Sequence, residues 1–236
     1  MVEEDRVDVG EIDEVLDVDR ARALRLMRVE FVVTTITLSP QERHVLLQIL
    51  SQRNPELGTH LDEVTQLCEA VGQALAVPED QMNHLLHAAA LHDVGKAAIP
   101  EAILDKAGPL DDDEWAYIRR HTIMGERILA AAPALAPAAK LVRSSHERID
   151  GRGYPDGLAG DQIPLGARII AACDAYDAMT ANRPYRTAMS TEVALSELKA
   201  CAGSQFDHVI VDALATVITQ RRAAPPNLHA PKYPDT

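Results

Sequence analysis

The chain has 236 residues, and its 36 Asp and Glu side chains against 23 Lys and Arg give a net charge of −13. Hydrophobic residues make up 47% and charged residues 25%, as in ordinary globular proteins. Because Pro133 and Pro137 interrupt the Ala-rich run at residues 128–139, we expect no transmembrane helix. The acidic N-terminus predicts no signal peptide, and no basic stripe indicates a partner such as duplex nucleic acid.

The charge is unevenly distributed and suggests three parts. Residues 1–19 hold nine acidic side chains and one Arg, so residues 1–38 are predicted to be an acidic leader or linker. A helical domain is predicted over residues 39–220, and a Pro-rich disordered tail over residues 221–236. The three cysteines form no CxxC pair, which predicts reduced thiols in a cytoplasmic protein.

Apolar periodicity and helix-start residues predict one helix after another. Ser39-Pro40-Gln41-Glu42 has the residue types of a helix N-terminus. A helix is predicted to begin near Pro55, another to end at His92, and a third to begin after Pro137 and end at His146. Four more are predicted with both ends: Asp111 through Ile128, Pro164 through Met179, Ser190 to about Gly203, and Asp207 through Ile218. A Gly- and Pro-rich loop at residues 150–164 is the main interruption, and the domain is predicted to be all-α.

The residues His92-Asp93, followed by Gly95-Lys96, end an apolar run. An imidazole, a carboxylate and an ammonium at a buried helix end are costly unless something compensates them, and a divalent metal would do so. Asp93 has two oxygens and is able to bridge two ions, while Lys96 lies about one turn on and is able to face a phosphate. By itself the tetrad is equally compatible with a partly exposed helix end.

Further ligand candidates recur at intervals of about one helix plus one loop, which is how a helical bundle gathers ligands around one site. Glu56 lies four residues before His60, so the two share one helix face. Asp177 follows Asp174 by one turn inside an apolar helix. Together the spacing favours a metal site whose candidate ligands are His60, His92, His121, His146 and Asp174.

The ordered motifs from about residue 54 to 214 resemble the HD-GYP domain, a branch of the HD phosphohydrolase superfamily known for cyclic di-GMP phosphodiesterases. The matching residues are His92-Asp93 with Gly95-Lys96, His121-x-x-x-Gly125, His146 through Pro155, Gly157-Leu158-x-Gly160, Ile163-Pro164, Ala167-Arg168-Ile169, Asp174-x-x-Asp177-Ala178-Met179, Arg183-Pro184-Tyr185-Arg186 and Gly203-x-x-Phe206-Asp207.

The resemblance implies an all-α bundle of about seven to nine helices around a central metal site. It implies two divalent transition metal ions and, in some members, a third; Fe and Mn are favoured, with Zn and Ni as alternatives. The implied ligands are His60, His92, Asp93 and Asp174 for the first ion, Asp93, His121 and His146 for the second, and Glu56 for the third.

The resemblance also implies a reaction in which metal-activated hydroxide attacks phosphorus and opens cyclic di-GMP to pGpG, with GMP as the product of a second cut. Gly153-Tyr154-Pro155 would line the mouth of the site and, in some relatives, recruits diguanylate cyclase partners. No membrane partner is expected, and a homodimer is open. The implied substrate contacts are Lys96 to the scissile phosphate, and Asp177, Arg183 and Arg186 to guanine and phosphates.

Two positions depart from the family pattern. Ser145-His146 replaces the usual pair of histidines, and a serine hydroxyl cannot replace an imidazole at a transition metal. Leu61-Asp62-Glu63-Val64 lacks the Arg that the family favours before this valine. Ser145 keeps one alternative open beside a phosphodiesterase, a catalytically impaired module that binds cyclic di-GMP or a partner protein. A further alternative is an HD hydrolase of another nucleotide, such as a different cyclic dinucleotide.

Overall fold

A computed structural model describes residues 55–104, 106, 108–181 and 187–223, with the side chains of 55–60 and 101 outside that description. Within these ranges the chain is helical and contains no β-strand, so the predicted all-α class is confirmed. None of the described helices is long and apolar enough to cross a membrane. The helices are α1 (Pro55–Ala74), α2 (Glu79–Leu91), α3 (Glu101–Leu104), α4 (Asp112–Ile118), α5 (His121–Ala130), α6 (Ala136–Arg143), α7 (Leu165–Thr180), α8 (Thr191–Ala200) and α9 (His208–Ala223).

Helix α7 forms the centre of the bundle. It packs against α1, α2, α8 and α9, and it is buried on almost every side. Cys173, Ala178 and Met179 are fully enclosed. Because Asp174 and Asp177 lie on the part of α7 that packs against these helices, both carboxylates are buried.

Several predicted helix starts are confirmed. Asp111 accepts a hydrogen bond from the Glu114 backbone N–H at 2.9 Å, and the Glu114 carboxylate accepts one from the Asp111 N–H at 2.9 Å, which forms a capping box on α4. Ser190 accepts a hydrogen bond from the Val193 N–H at 3.3 Å and caps α8. Pro164 immediately precedes α7.

Two predicted helix boundaries are wrong. The segment from Asp111 through Ile128 is two helices, and His121 is the first residue of α5 rather than a mid-helix residue. The chain tightens there because the Arg120 N–H donates to Tyr117 O and the His121 Nδ1 donates to Ile118 O, at 3.1 and 2.8 Å. Helix α6 ends at Arg143, and His146 follows in a turn.

Other predictions fall outside the described residues. These are the leader at 1–38, the helix start at Ser39, the substrate contacts Arg183 and Arg186, the side chains of Glu56 and His60, and residues 224–236 of the tail. Residues 221–223 of the predicted tail belong to α9.

A close backbone contact sets the position of the His92-Asp93 segment. After α2 the chain forms a 3-10 turn over Val94–Ala98, which packs against α5. A methyl carbon on Gly95 would lie 1.9 Å from the His121 carbonyl oxygen and 2.5 Å from the Gly125 nitrogen. Only glycine fits, so the turn that carries Lys96 lies directly against the start of α5.

We predict that Gly95→Ala will destabilise the protein. The methyl group has no space and must separate the turn from α5, so the free energy of unfolding should fall by about 3 kcal/mol. Urea denaturation measures this change. Gly108→Ala is the matched control because a methyl carbon there meets nothing within 4 Å. Equal stability of the two variants would contradict the prediction.

Candidate metal centre

Two buried histidines are held in the same tautomer by backbone carbonyls. His92 follows the last turn of α2, and its Nδ1 contacts Ala89 O at 2.8 Å. His121 begins α5, and its Nδ1 contacts Ile118 O at 2.8 Å. A carbonyl oxygen only accepts, so each Nδ1 carries a proton, and in the neutral imidazole each Nε2 keeps the lone pair. This orientation is typical of imidazoles that ligate a metal through Nε2.

The Asp93 carboxylate lies between these two imidazoles. Its Oδ2 is 3.5 Å from His92 Nε2, and its Oδ1 is 3.8 Å from His121 Nε2. Lys96 is fully buried and places its Nζ 3.0 Å from Asp93 Oδ1. Each carboxylate oxygen therefore faces a different histidine, which is the arrangement required of a bridging ligand.

His146 and Asp174 complete two neighbouring groups of donors. One donor atom each from Asp93, His121 and His146 lie within 4.8 Å of one another. Asp174 reaches in from α7, with its Oδ1 3.5 Å from His92 Nε2. The structure thus brings together every described candidate ligand. Asp177, one turn after Asp174 on α7, lines a cleft with Asp62, Glu63 and Tyr176, between α1, α7 and α9.

These donors suit divalent transition metals. Imidazole nitrogens and carboxylate oxygens bind such ions at about 2.0–2.2 Å, so two ligands of one ion lie about 3.0–3.5 Å apart. The separations of 3.5–3.8 Å between His92, Asp93, Asp174 and His121 are close to that range. A set of two carboxylates and three imidazoles with one lysine, all buried except the half-buried His146, fits a metal centre on its donor chemistry.

Ser145 is buried beside this cluster. Its hydroxyl donates to the Val142 carbonyl oxygen at 2.9 Å, a bond that closes the end of α6. The Ser145 proton is thereby directed away from the cluster. The position that the HD-GYP resemblance assigns to a second imidazole is held by a small side chain that satisfies a helix terminus.

The Gly- and Pro-rich loop is fastened to the cluster by its own aromatic residue. The Tyr154 ring stacks on the His146 imidazole, with ring centroids 5.1 Å apart and planes at 6°. His146 in turn meets His121 edge to face at 4.9 Å. The guanidinium of Arg119, at the end of α4, lies over the Tyr154 ring at 5.6 Å.

Charged residues to which the sequence analysis assigned no role anchor this loop. Glu147 accepts hydrogen bonds from the backbone N–H groups of Asp156 and Leu158 at 2.7 and 3.0 Å, while burial raises the pKa of its carboxyl. Arg143 forms two hydrogen bonds to Asp156, at 2.6 and 2.7 Å, and these raise the pKa of Arg143. No sequence signal pairs Arg143 with Asp156, because the two residues meet only when the loop folds back on α6.

Arg148 and Asp150 form the inner end of the loop. Their two hydrogen bonds, at 3.1 and 2.8 Å, lower the pKa of Asp150 to about 2. Arg148 also donates to the Gln205 side chain at 3.1 Å, and the Asp150 N–H donates to Ser204 O at 2.8 Å. The loop is therefore tied to the segment that precedes α9.

Comparison with known proteins agrees with this geometry. A model of the HD domain family matches residues 44–210. The cyclic di-GMP phosphodiesterase response regulator RpfG of Xanthomonas campestris is 37% identical over 171 residues, covering 72% of this chain and 45% of that protein. The 3′3′-cGAMP-specific phosphodiesterase 2 of Vibrio cholerae is 36% identical over 171 residues, covering 72% and 33%. This chain thus spans less than half the length of either relative.

A solved structure has a related fold. Bd1817, an HDGYP protein from Bdellovibrio bacteriovorus, superposes with a TM-score of 0.58 over 92% of this chain and 75% of that chain. The two sequences are 14% identical, so the likeness concerns the fold alone. It confirms that the helical bundle is an HD-type bundle.

We predict that Asp150→Asn will remove a pH-dependent part of the stability. The folded pKa of about 2 lies below the ordinary value of 3.8, so this stabilisation is present above pH 4 and is lost as the pH falls towards 2. Urea denaturation should show Asp150→Asn about 2 kcal/mol less stable at pH 6, with the difference vanishing near pH 2.

Asp161→Asn is the matched control for this measurement. Asp161 is fully exposed and pairs with Arg168 at 3.3 Å, so its loss should leave the free energy of unfolding nearly unchanged at both pH values. A difference between wild type and Asp150→Asn that is the same at pH 6 and pH 2 would contradict the assignment.

Proposed function

This chain belongs to the HD domain family, in its HD-GYP branch, and we propose that it is a metal-dependent phosphodiesterase that hydrolyses cyclic di-GMP. The observation that carries the proposal is the cluster of buried Asp93 and His121 with half-buried His146, whose donor atoms lie within 4.8 Å of one another, with Lys96 against Asp93. The names of the relatives add support for hydrolysis of a cyclic dinucleotide. RpfG is named a cyclic di-GMP phosphodiesterase, and the Vibrio cholerae relative is named a 3′3′-cGAMP-specific phosphodiesterase.

The proposed ligands divide into two groups that share Asp93. His92, Asp93 and Asp174 would hold one ion, and Asp93, His121 and His146 a second. His60 is proposed for the first ion and Glu56 for a third. When bound, such ions lower the pKa of a water and neutralise charge on the phosphodiester oxygens. Fe or Mn is the proposed metal, with Zn and Ni as alternatives.

The protein side chains supply positioning and charge. Water adds across one P–O3′ bond: a new P–O bond forms, the 3′-oxygen leaves with a proton, and cyclic di-GMP opens to linear pGpG. Lys96 holds a buried positive charge 3.0 Å from Asp93, where it would contact the scissile phosphate as negative charge develops. Tyr154, stacked on His146, would form the wall of the substrate cleft.

A catalytically impaired binding module is the second candidate, and Ser145 favours it. With the Ser145 hydroxyl donated to Val142 O, the second group has three protein ligands among the described residues, Asp93, His121 and His146. Three protein ligands still support an open catalytic site, so we place phosphodiesterase activity first. A third candidate, hydrolysis of another cyclic dinucleotide, rests on the cGAMP-specific relative.

The test joins metal content to turnover in one sample. The protein is purified anaerobically, its metal is counted by elemental analysis, and cyclic di-GMP hydrolysis is followed with added Mn or Fe(II). Two or more ions per chain together with pGpG or GMP support the proposal. Product from 3′3′-cGAMP but not from cyclic di-GMP would support the third candidate instead. No product from either substrate would overturn the proposal that the protein is a phosphodiesterase of cyclic dinucleotides.

We predict that the Ser145→His variant will bind the second metal ion more tightly than the wild type does. An added imidazole should lower the dissociation constant of that ion about tenfold or more, measured by competition with a metal chelator. Ser144→His is the control, since Ser144 is also buried at the end of α6 but is not among the residues that line the cleft. Activity only in Ser145→His would identify the natural chain as the binding module.

We predict that Lys96→Met will lower kcat about 100-fold while the metal content stays at the wild-type level. Methionine keeps the apolar stem but removes the charge that would contact phosphate. Lys140→Met, at an exposed position on α6, is the control and should keep wild-type kcat. Loss of metal along with activity would instead show that Lys96 maintains the structure of the site.

A further inference from the structure

We infer that Arg119 binds the second, non-scissile phosphate of a cyclic dinucleotide at the mouth of the cleft. The inference rests on the proposed function, because it takes the buried donor cluster as the place of the scissile phosphate. Arg119 lies between α4 and α5, two residues before His121, and no motif points to it.

The cleft above the donor cluster has a cationic and aromatic rim. It is open to solvent, and its cavity volume is about 180 Å³. His146 and Asp174 line its interior, so it opens onto the proposed metal ligands. The side chains on its rim are Trp115, Arg119, Arg148, Arg152 and Tyr154.

The three rim arginines have different surroundings. Arg148 is bonded to Asp150 and Gln205, and Arg152 lies 3.4 Å from the same Asp150 carboxylate. Arg119 is exposed, and among the described residues no carboxylate lies within ion-pair distance of its guanidinium. The Arg119 guanidinium carbon lies over the Tyr154 ring, 5.6 Å from the ring centroid.

This arrangement suits a second phosphate. A cyclic dinucleotide carries two phosphodiesters several ångströms apart, so when one lies at the donor cluster the other remains at the rim and carries a full negative charge. The chain has a net charge of −13, so a local cation is needed to bind this anion. A guanidinium forks onto two phosphate oxygens, and stacking over Tyr154 orients that fork.

Steady-state kinetics with two substrates test the inference. Cyclic di-GMP has two phosphates, whereas bis(p-nitrophenyl) phosphate has one and cannot use a second phosphate subsite. Arg119→Ala should raise KM for cyclic di-GMP roughly tenfold or more, with kcat within about twofold, and should lower kcat/KM for bis(p-nitrophenyl) phosphate by less than about threefold. Arg119→Lys should recover part of the loss. An equal loss on both substrates would overturn the inference, since Arg119 would then act by positioning Tyr154 and His146.

Arg120→Ala is the matched control. Arg120 is the adjacent exposed arginine, and its guanidinium lies over the Tyr117 ring at 4.9 Å, but it does not line the cleft. Its kinetics should match those of wild type, and an effect equal to that of Arg119→Ala would overturn a specific subsite.

Equilibrium binding separates this inference from the proposed function. If wild type hydrolyses nothing, the proposed function fails, and affinities of the purified proteins for cyclic di-GMP and cyclic di-AMP still test Arg119. The same fold-loss on both ligands supports a phosphate contact. A loss of affinity confined to cyclic di-GMP would show that Arg119 contacts guanine rather than phosphate. Unchanged affinity for both ligands would show that Arg119 does not bind the dinucleotide.

Discussion

The site depends on one steric constraint, the contact between the Gly95 backbone and the carbonyl of His121. Without a side chain at Gly95, the turn after α2 lies directly against the first turn of α5, and Asp93 reaches His121 across that contact. The same turn carries Lys96 into the interior. Two segments separated in sequence are thus held together by backbone packing, which is stiffer than any contact between long side chains.

A second level of organisation holds the Gly- and Pro-rich loop over this cluster. Its outer part is fastened by Glu147 and Arg143, whose charged groups bond to the loop at Asp156, and its inner part by Arg148 and Asp150. These contacts position Tyr154 on the face of His146. The loop has few apolar side chains to bury, so charge-assisted hydrogen bonds replace a hydrophobic core in fixing its shape.

Electrostatics connect the buried cluster with the cleft above it. Asp93, Asp174 and Lys96 are all withdrawn from solvent, and such a concentration of charge is costly unless the groups compensate one another or a bound cation does. The proposed ions would supply this compensation. At the rim of the cleft the charged side chains include three arginines. Their positive charge favours the approach of an anionic ligand to the cluster, although the net charge of the protein is negative.

The sequence by itself determined the helical class, most helix starts and the identity of the ligand candidates, because capping residues, apolar periodicity and ordered motifs are local signals. Asp111, Ser190 and Pro164 each mark a helix where one forms. Only the tertiary structure decided the break at His121, the hydrogen bond of Ser145 and the place of Arg119 on the rim. The first two features are hydrogen bonds to carbonyls three residues earlier, and the third is a contact with a loop far along the chain. Apolar periodicity carries no information about which group a polar or charged side chain will meet.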